Sequence, residues 1–319
     1  MAFAHDQEGG LRAALAFLRR SETPAVWMPK ALLGAVLACG LLVPAAPAFA
    51  QSQCGRADLQ AATDDYIKAQ TAGDATLMPL SLWVDYSEQM QTASLATGVI
   101  SKPQKIDFHR SLLDTRSCSS FTEVVITDPA HPYVLGVLLQ VRGGQVGAMD
   151  VLVTDRADGW LFNPANTLKY SKAETWTEIP PAERDSRETI IAAADAYLDY
   201  FNDKGVAVPW GGPCERLEGG LYTGKGGPGV SAPEDTCNVG VPSGVKLANR
   251  QYVVDEALGA VTVLLSFGKD QLPDAHTFRV EHGKIRYVHT ITVCNTFNCG
   301  FKLPEQLQAA SNEAPPAAH

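Results

Sequence analysis

FRVEHGKIRYVHTITV, residues 278–293, has the pattern of a β-hairpin. β-Branched and aromatic residues alternate with polar ones on both sides of Gly283, as in two antiparallel strands joined by a tight turn. An earlier stretch, QVRGGQVGAMDVLVT at residues 140–154, has the same order of strand, glycine turn and strand. The chain therefore contains one hairpin twice, which indicates an internal repeat.

The repeat extends to a helix that precedes each hairpin. Apolar residues recur at helical spacing over Asp185–Asn202 and over Asp58–Gln70, so each segment predicts an amphipathic helix. The strings TDDYIKAQ and AADAYLDYF match around Tyr66 and Tyr197. Each half thus begins with a helix and ends with strands.

The strand segments give the remaining order of each half. TEVVITD, YVLGVLLQVRGG and QVGAMDVLVTD in the first half correspond to AVTVLLSFG, AHTFRVEHG and KIRYVHTITV in the second, where RQYVVDE precedes them. We predict an α+β protein of two tandem modules, each with a leading helix, an irregular or short helical middle and a final antiparallel meander. The predicted bounds are 51–179 for a structural first module, 180–303 for a second module with a pocket, and 304–319 for a disordered tail. Tyr170–Glu183, with two prolines, is the predicted linker.

This order of helices and sheet resembles the cone-shaped fold of nuclear transport factor 2 (NTF2), ketosteroid isomerase and SnoaL-type polyketide cyclases. FRVEHGKIRYVHTITV looks like a strand pair that recurs in that superfamily. CERLEGGLYTG, CNVGVPSG, RQYVVDEALGAV and LPDAHTFRVEHGKIRYVHT are similar to an uncharacterised domain of unknown function in secreted fungal and bacterial proteins. This closer resemblance covers Glu183–Gly300 well and the first half weakly. It implies a fold but no catalytic residue.

The N-terminal region predicts export. Met28–Ala50 reads MPKALLGAVLACGLLVPAAPAFA: a short basic start, an apolar run, a proline-containing break and small residues before Gln51. This is the layout of a cleaved signal peptide, so residues 1–50 are predicted to be removed, with translation beginning at Met28. The alternative is a membrane anchor, but the apolar run of ~13 residues is shorter than the ~20 that a spanning helix needs. The predicted location is secreted or periplasmic, with no membrane association after cleavage.

The charge of the mature chain limits its partners. Removing residues 1–50 leaves 22 Lys and Arg against 32 Asp and Glu, a net charge near −10. Such a chain repels phosphate backbones, so nucleic acid is not an expected partner. A small-molecule ligand or substrate is expected instead, and the protein is predicted to be a monomer or a homodimer.

Six cysteines remain in the mature chain, and an even number in an exported protein predicts disulfides. Fifteen pairings are possible for six cysteines. Proximity in sequence favours Cys214 with Cys237 and Cys294 with Cys299, which leaves Cys54 with Cys118. The spacing does not fit a zinc site, so no metal is expected.

Strand alternation selects the candidate catalytic residues. Tyr287 and His289 share a face of the last strand with apolar residues, and His276 shares a face with Phe278 on the strand before it. In a simple hairpin about Gly283 these faces coincide, which would place His276 near His289 in a pocket. The first half has no equivalent histidine, since Leu152 or Val153 falls at that position. The alternative is that each histidine is a core residue hydrogen-bonded to backbone.

Other polar residues near the predicted pocket are candidates for binding a substrate. Arg216 and Glu218 follow Cys214 and could point into the cone mouth or form a surface ion pair. Arg250 and Asp255 have opposite parity on one strand, so at most one of them faces inward. Tyr222 completes this candidate set.

We therefore expect acid–base chemistry without a cofactor, such as isomerisation, elimination or hydration of a small apolar or aromatic oxygenated molecule. His289 or His276 would be the base, and Tyr287 would donate a hydrogen bond to a developing oxyanion. Asp274 could orient His276, but its Leu-Pro-Asp context equally suggests a turn. The alternatives are a non-catalytic ligand-binding or interaction module of the cell envelope and an assembly protein with an exposed apolar patch on the first half.

Overall fold

A computed structural model describes residues 54–223, 235–238, 240–294 and 296–300, apart from the side chain of Trp160. The predicted signal segment and the predicted tail lie outside these residues. The helices and strands of the described part are α1 (Arg56–Ala72), β1 (Leu80–Glu88), β2 (Gln91–Thr92), β3 (Phe108–Asp114), β4 (Ser119–Ile126), β5 (Tyr133–Arg142), β6 (Gln145–Thr154), α2 (Pro164–Ala173), α3 (Arg187–Asp199), β7 (Trp210–Glu218), β8 (Leu221–Tyr222), β9 (Leu247–Asp255), β10 (Ala260–Phe267), β11 (Leu272–Glu281) and β12 (Lys284–Thr292).

The strands form two six-stranded sheets with the same topology. Their orders are β2-β1-β6-β5-β4-β3 and β8-β7-β12-β11-β10-β9. We call α1 with the first sheet the first module, and α3 with the second sheet the second module. The predicted two-module α+β architecture is confirmed.

The predicted antiparallel meander is present in each half, but each sheet is mixed rather than antiparallel throughout, because β1 pairs parallel with β6 and β7 pairs parallel with β12. These two strands come from the middle of each half, which was expected to be irregular. Each carries a register shift, after Leu80 in β1 and after Trp210 in β7. The shift breaks the period-two alternation by which a strand is recognised in a sequence.

Each sheet packs one face against its own helix, and we call this the inner face. In the first module Leu59 and Tyr66 of α1 are fully buried with Leu135 and Val137 of β5. In the second module Ile190 and Tyr197 of α3 pack with the apolar residues of β10 to β12.

The outer faces of the two sheets pack against each other. One buried cluster takes apolar residues from both sheets: Leu112, Phe121, Val125, Val134, Leu138 and Leu152 from the first, and Val253, Leu258, Ala260, Leu264, Ala275, Ile291 and Val293 from the second. Burying apolar area in this way contributes about 25 cal/mol per Å². The modules are therefore joined by a hydrophobic core as well as by the chain between them.

Three disulfides are formed: Cys54–Cys118, Cys214–Cys237 and Cys294–Cys299. The pairing expected from sequence proximity is confirmed, and three disulfides fit a secreted or extracellular protein. None of the helices in the described ranges is long and apolar enough to cross a membrane.

Candidate functional site

A β-bulge in the β11–β12 hairpin determines which side chains share a face. Val280 pairs with Ile285, but the next pair is Arg279 with Tyr287, so Arg286 is an extra residue in β12. An extra residue moves every following side chain to the opposite face. The expectation that His276 and His289 lie together is therefore wrong. His276 pairs with Thr290, while His289 pairs with Thr277, and the two imidazoles lie on opposite faces of the sheet.

His276 lies on the inner face and is hydrogen-bonded to a carboxylate. Its Nδ1 lies 2.6 Å from Oδ1 of Asp274, two residues earlier on β11. Thr292 donates to the other carboxylate oxygen of Asp274 at 2.7 Å. The rings of Tyr197 and Phe201 surround the imidazole, with centroids 5.8 and 5.9 Å away. Asp274 is thus placed to fix the tautomer and the orientation of His276, as the sequence suggested.

Arg216 lies on the same inner face, one strand beyond β12. Its Nη1 donates to the hydroxyl of Tyr197 at 3.3 Å, and its Nη2 lies 2.9 Å from Glu218. Glu218 pairs with Thr290, and Thr290 pairs with His276, so these three residues form one row across three strands. Arg216 and Glu218 form an ion pair, but Arg216 is buried on the inner face, so this is not the surface ion pair that was the alternative. We call the following set the interior group: Tyr197, Arg216, Glu218, Asp274, His276, Thr290 and Thr292.

Burial changes the acidity of two members of the interior group. Desolvation raises the pKa of the Tyr197 hydroxyl to about 12. Desolvation lowers the pKa of Arg216, but the charge of Glu218 and the contact with Tyr197 outweigh it, so the net pKa lies above the ordinary value. Tyr197 is therefore neutral and Arg216 is charged at neutral pH.

Two donors of the interior group have no partner. Nε of Arg216 and Oγ1 of Thr290 are buried and make no hydrogen bond within the part of the chain that the structure describes. An unsatisfied buried polar group costs about 1–3 kcal/mol. Native proteins keep few such groups, so each one indicates a bound water, a ligand or a functional constraint.

His289 lies on the outer face, between the modules. Its Nδ1 is 2.9 Å from Oε2 of Glu123 on β4, and its Nε2 is 2.7 Å from Oε1 of Glu174, which follows α2. Arg110 of β3 contacts Glu174 at 3.0 Å and lies over the ring of Trp176 at 4.1 Å. We call Arg110, Glu123, Glu174 and His289 the interface cluster.

The interface cluster is fully charged. Burial alone would lower the pKa of His289, but the charges of Glu174 and Glu123 raise it to about 9. Burial likewise favours the neutral form of Glu123, but the charges of His289 and Arg110 lower its pKa to about 2. The pKa of Glu174 is lowered for the same reasons. With both nitrogens bonded to carboxylates, His289 is an imidazolium without a lone pair to accept a proton.

Tyr287 and Tyr222 are both held in contacts between the two halves. Tyr287 stacks on Trp176 at 5.6 Å between centroids and accepts a hydrogen bond from the backbone N–H of Thr175. Tyr222 stacks on Tyr170 of α2 at 4.0 Å. The structure does not bring either ring to the Asp274–His276 pair.

Arg250 and Asp255 have structural partners. Arg250 donates to Asp195 and Asp199 of α3 at 2.7 and 2.6 Å, so it fastens the helix to β9. Asp255 is buried, contacts Arg56 at 2.7 Å and accepts the backbone N–H of Leu113 at 3.0 Å. Asp255 therefore joins the second module to the first.

The contacts of Asp255 are repeated with the modules exchanged. Asp114, at the end of β3, binds Arg187 with both carboxylate oxygens and accepts the backbone N–H of Val254 at 2.9 Å. Arg56 and Arg187 are the first residues of α1 and α3. We call the two pairs, Arg56–Asp255 and Arg187–Asp114, the reciprocal clasp.

At four positions of β5 and β6 the inner face of the first module has apolar residues where the interior group is polar, whereas Glu88 stands at the position of Glu218. Strand pairing places Val137 and Val151 where the second module has His276 and Thr290. By the same pairing Leu135 and Val153 correspond to Asp274 and Thr292. The residue equivalent to His289 is Asp150, not Leu152 or Val153. Asp150 forms the second-last pair of β6 with β1, and His289 forms the second-last pair of β12 with β7.

A groove of about 180 Å³ lies between the linker and the turn of the β11–β12 hairpin, lined by residues that include Glu178, Pro180, Arg279 and His282. No residue of the interior group lines it. Among the described residues no group of three or more His, Cys, Asp or Glu side chains could hold a metal ion.

Several residues of both clusters were missed from the sequence. Glu123 was detectable, because it is a single charge within a strand that is buried along its whole length. Tyr197 was recognised as part of the matched helices, but nothing in the sequence indicated that its hydroxyl contacts Arg216. Glu174 and Arg110 were not detectable, since nothing in their local sequence indicates that they meet His289.

Residues 183–292 match the family model of a domain of unknown function (DUF8021). The match extends from just before α3 to the last residue of β12, so it covers the second module. No curated protein matches the chain.

Proposed function

We propose that the second module binds a small apolar or aromatic oxygenated molecule at its inner face and acts on it by acid–base chemistry without a cofactor. Isomerisation, elimination and hydration belong to this class. The hydrogen bond between Asp274 and Nδ1 of His276 carries the proposal. A carboxylate that accepts from Nδ1–H leaves the lone pair on Nε2, and this is the tautomer that a general base requires.

His276 is the proposed base, and Asp274 is a positioning residue that acts through it. Because Nδ1 of His276 is bonded to Asp274, Nε2 is the nitrogen that remains to meet a substrate. Arg216, held by Tyr197 and Glu218, supplies positive charge to the same face. His289 and Tyr287 have no part in this reaction, because they face the first module.

We further propose that each module has the cone-shaped NTF2-like fold and that the protein is exported. A leading helix packed on a sheet that ends in four antiparallel strands supports the fold assignment. The predicted signal peptide and the three disulfides support export. The negative charge of the chain supports a small molecule rather than a nucleic acid as its partner.

The proposal is tested by proton exchange, which does not require that the product be known. Purified protein is incubated in D2O with a panel of small aromatic and polyketide-like ketones and hydroxyketones, and deuterium incorporation at carbon is followed by NMR. We expect exchange with some members of the panel. The His276→Asn variant should lower the exchange rate by about 10²–10⁴-fold.

His109→Asn is the matched control, because His109 is exposed on β3 of the first module. It should leave the exchange rate unchanged. Equal rates for the wild type and His276→Asn would contradict the proposal.

Non-catalytic binding is the second candidate function, and the burial of His276, which is 2% exposed, favours it. Under this alternative no member of the panel exchanges, although ligands bind and His276→Asn lowers their affinity. The two functions are thus separated by measuring exchange and binding on the same variants.

A further inference from the structure

The two unpartnered donors of the interior group are fixed in place by their surroundings. Arg216 is 4% exposed, and its other nitrogens are held by Tyr197 and Glu218, so its guanidinium has a set orientation. Thr290 is 5% exposed and lies between Glu218 and His276 in the row across the sheet. Nε of Arg216 and Oγ1 of Thr290 both belong to the inner face.

The register makes the two residues that carry these donors neighbours on the inner face. Arg216 pairs with Val288, and Thr290 is two residues further along β12 on the same face. Adjacent strands lie about 5 Å apart and two residues span about 6.6 Å, so the two Cα atoms are diagonal neighbours about 8 Å apart. An extended arginine side chain bridges most of such a distance.

The charges of the interior group favour an uncharged ligand. Glu218 compensates Arg216 at 2.9 Å, and Asp274 adds a further negative charge beside His276. Because Glu218 already holds Arg216 and Asp274 already holds His276, a carboxylate or phosphate would enter without a free cation to receive it.

We infer that Nε–H of Arg216 and the hydroxyl of Thr290 together bind the carbonyl oxygen of an uncharged ligand. A carbonyl oxygen has two lone pairs and so accepts from two donors at once. This inference deepens the proposed function and rests on it for the location of the site, since it names the substrate class that His276 would meet there.

Three probes with one ring and different substituents test the ligand class: acetophenone, benzoate and ethylbenzene. Binding to the purified protein is followed by isothermal titration calorimetry and by the fluorescence of Trp210, whose ring lies 5.7 Å from that of Tyr197. Acetophenone should bind about tenfold more tightly than either of the other two. Benzoate binding as tightly as acetophenone, or no binding by any probe, would overturn the inference.

Variants test the two donors. Thr290→Val removes the hydroxyl with little change of shape and should weaken acetophenone binding by about tenfold, while Thr290→Ser should keep the affinity. Arg216→Lys keeps the charge but lacks Nε and should weaken binding by a similar factor. Near-UV circular dichroism of each variant checks that its fold is retained. Unchanged affinity in folded Thr290→Val would mean that the hydroxyl bonds an ordered water only, and the inference would fail.

Failure of this inference is distinguishable from failure of the proposed function. His276→Asn should lose proton exchange, whereas His109→Asn, at an exposed position outside the site, should keep both proton exchange and acetophenone binding. If the wild type binds acetophenone but exchanges no proton with any ketone, the carbonyl site stands and the acid–base function falls. If exchange occurs and Thr290→Val binds as the wild type does, the reverse holds.

Discussion

The two modules share one topology but differ on their inner faces. The first module fills this face with Leu135, Val137 and Val151, whereas the second places Asp274, His276 and Thr290 at the same positions. Apolar residues at these positions are sufficient to build the fold, as the first module shows. The polar residues at these positions of the second module are therefore not needed for folding. A buried polar group without a partner lowers the stability of the folded protein. The difference supports the proposal that function lies in the second module and that the first module is structural.

The largest expected effect comes from breaking the interface cluster, which joins the unequal modules. His289→Ala leaves Glu123 and Glu174 buried with Arg110 as their remaining cation, so we expect a loss of about 3–5 kcal/mol in the free energy of unfolding. Urea denaturation followed by far-UV circular dichroism measures it. His109→Ala, at an exposed position, should change stability by less than about 0.5 kcal/mol. A loss below about 1 kcal/mol for His289→Ala would mean that the cluster does not stabilise the pairing.

The next effect is a pH dependence from the same cluster. The pKa of His289 is raised from 6.5 to about 9, so its contribution to stability is complete below pH 6.5 and is lost as the pH rises through about 9. The expected loss is on the order of 3 kcal/mol. The pKa of Glu123 is lowered from 4.5 to about 2, so its contribution is complete above pH 4.5 and is lost as the pH falls through about 2.

Thermal melts between pH 5 and pH 10 measure the alkaline part of this dependence. His289→Gln should flatten the curve between pH 6.5 and 9, while His109→Asn should keep it. A wild-type melting temperature that stays constant over this interval would show that His289 is neutral in the folded protein.

The reciprocal clasp sharpens the comparison, because it is the place where the modules are most alike. Asp114→Asn and Asp255→Asn each weaken a charged contact with an arginine but keep the side-chain shape. We expect each to destabilise the protein by about 2 kcal/mol, and the two values to agree within about 0.5 kcal/mol. Chemical denaturation of the two variants provides the test, and a difference above about 1.5 kcal/mol would show that the clasp is symmetric in geometry only.

The smallest effect comes from exchanging one inner-face residue between the modules. Thr290→Val imports the first-module residue and removes an unpartnered hydroxyl, so we expect about 1 kcal/mol of stabilisation. Val151→Thr imports the second-module residue and should destabilise the protein by about 1–2 kcal/mol, because Val151 is buried in an apolar core. Differential scanning calorimetry of both variants measures the two changes in stability. The same sign for both would contradict the view that only the second inner face is adapted to a ligand.

The repeat could be predicted from sequence because helical spacing and strand alternation are local patterns. The helices around Tyr66 and Tyr197 and the closing hairpins were recognised in this way. Strands β1 and β7 were not, since the register shift within each one hides its alternation. The pairing of cysteines also followed from spacing, because the loops that the three bonds close do not interleave along the chain.

The site was harder to predict, because one extra residue in β12 reverses the faces on which the following side chains of that strand lie. Arg286 is the extra residue of the bulge, and without it His276 and His289 would share a face. Alternation assigned His276 correctly to the face of Phe278, since β11 itself contains no extra residue. It failed for Tyr287 and His289, which follow the bulge on β12. The interface cluster depends on contacts between residues up to 179 positions apart, such as Arg110 with His289, and no local pattern encodes them.

The reciprocal clasp has a consequence for how the protein behaves at low concentration. Two separate chains joined by such an interface would dissociate on dilution, because their association is bimolecular. Here a short linker holds the two modules at an effective concentration in the millimolar range relative to each other, whatever the protein concentration. A protein released into a large extracellular space would keep its paired sheets there, and one gene supplies both partners in equal amount.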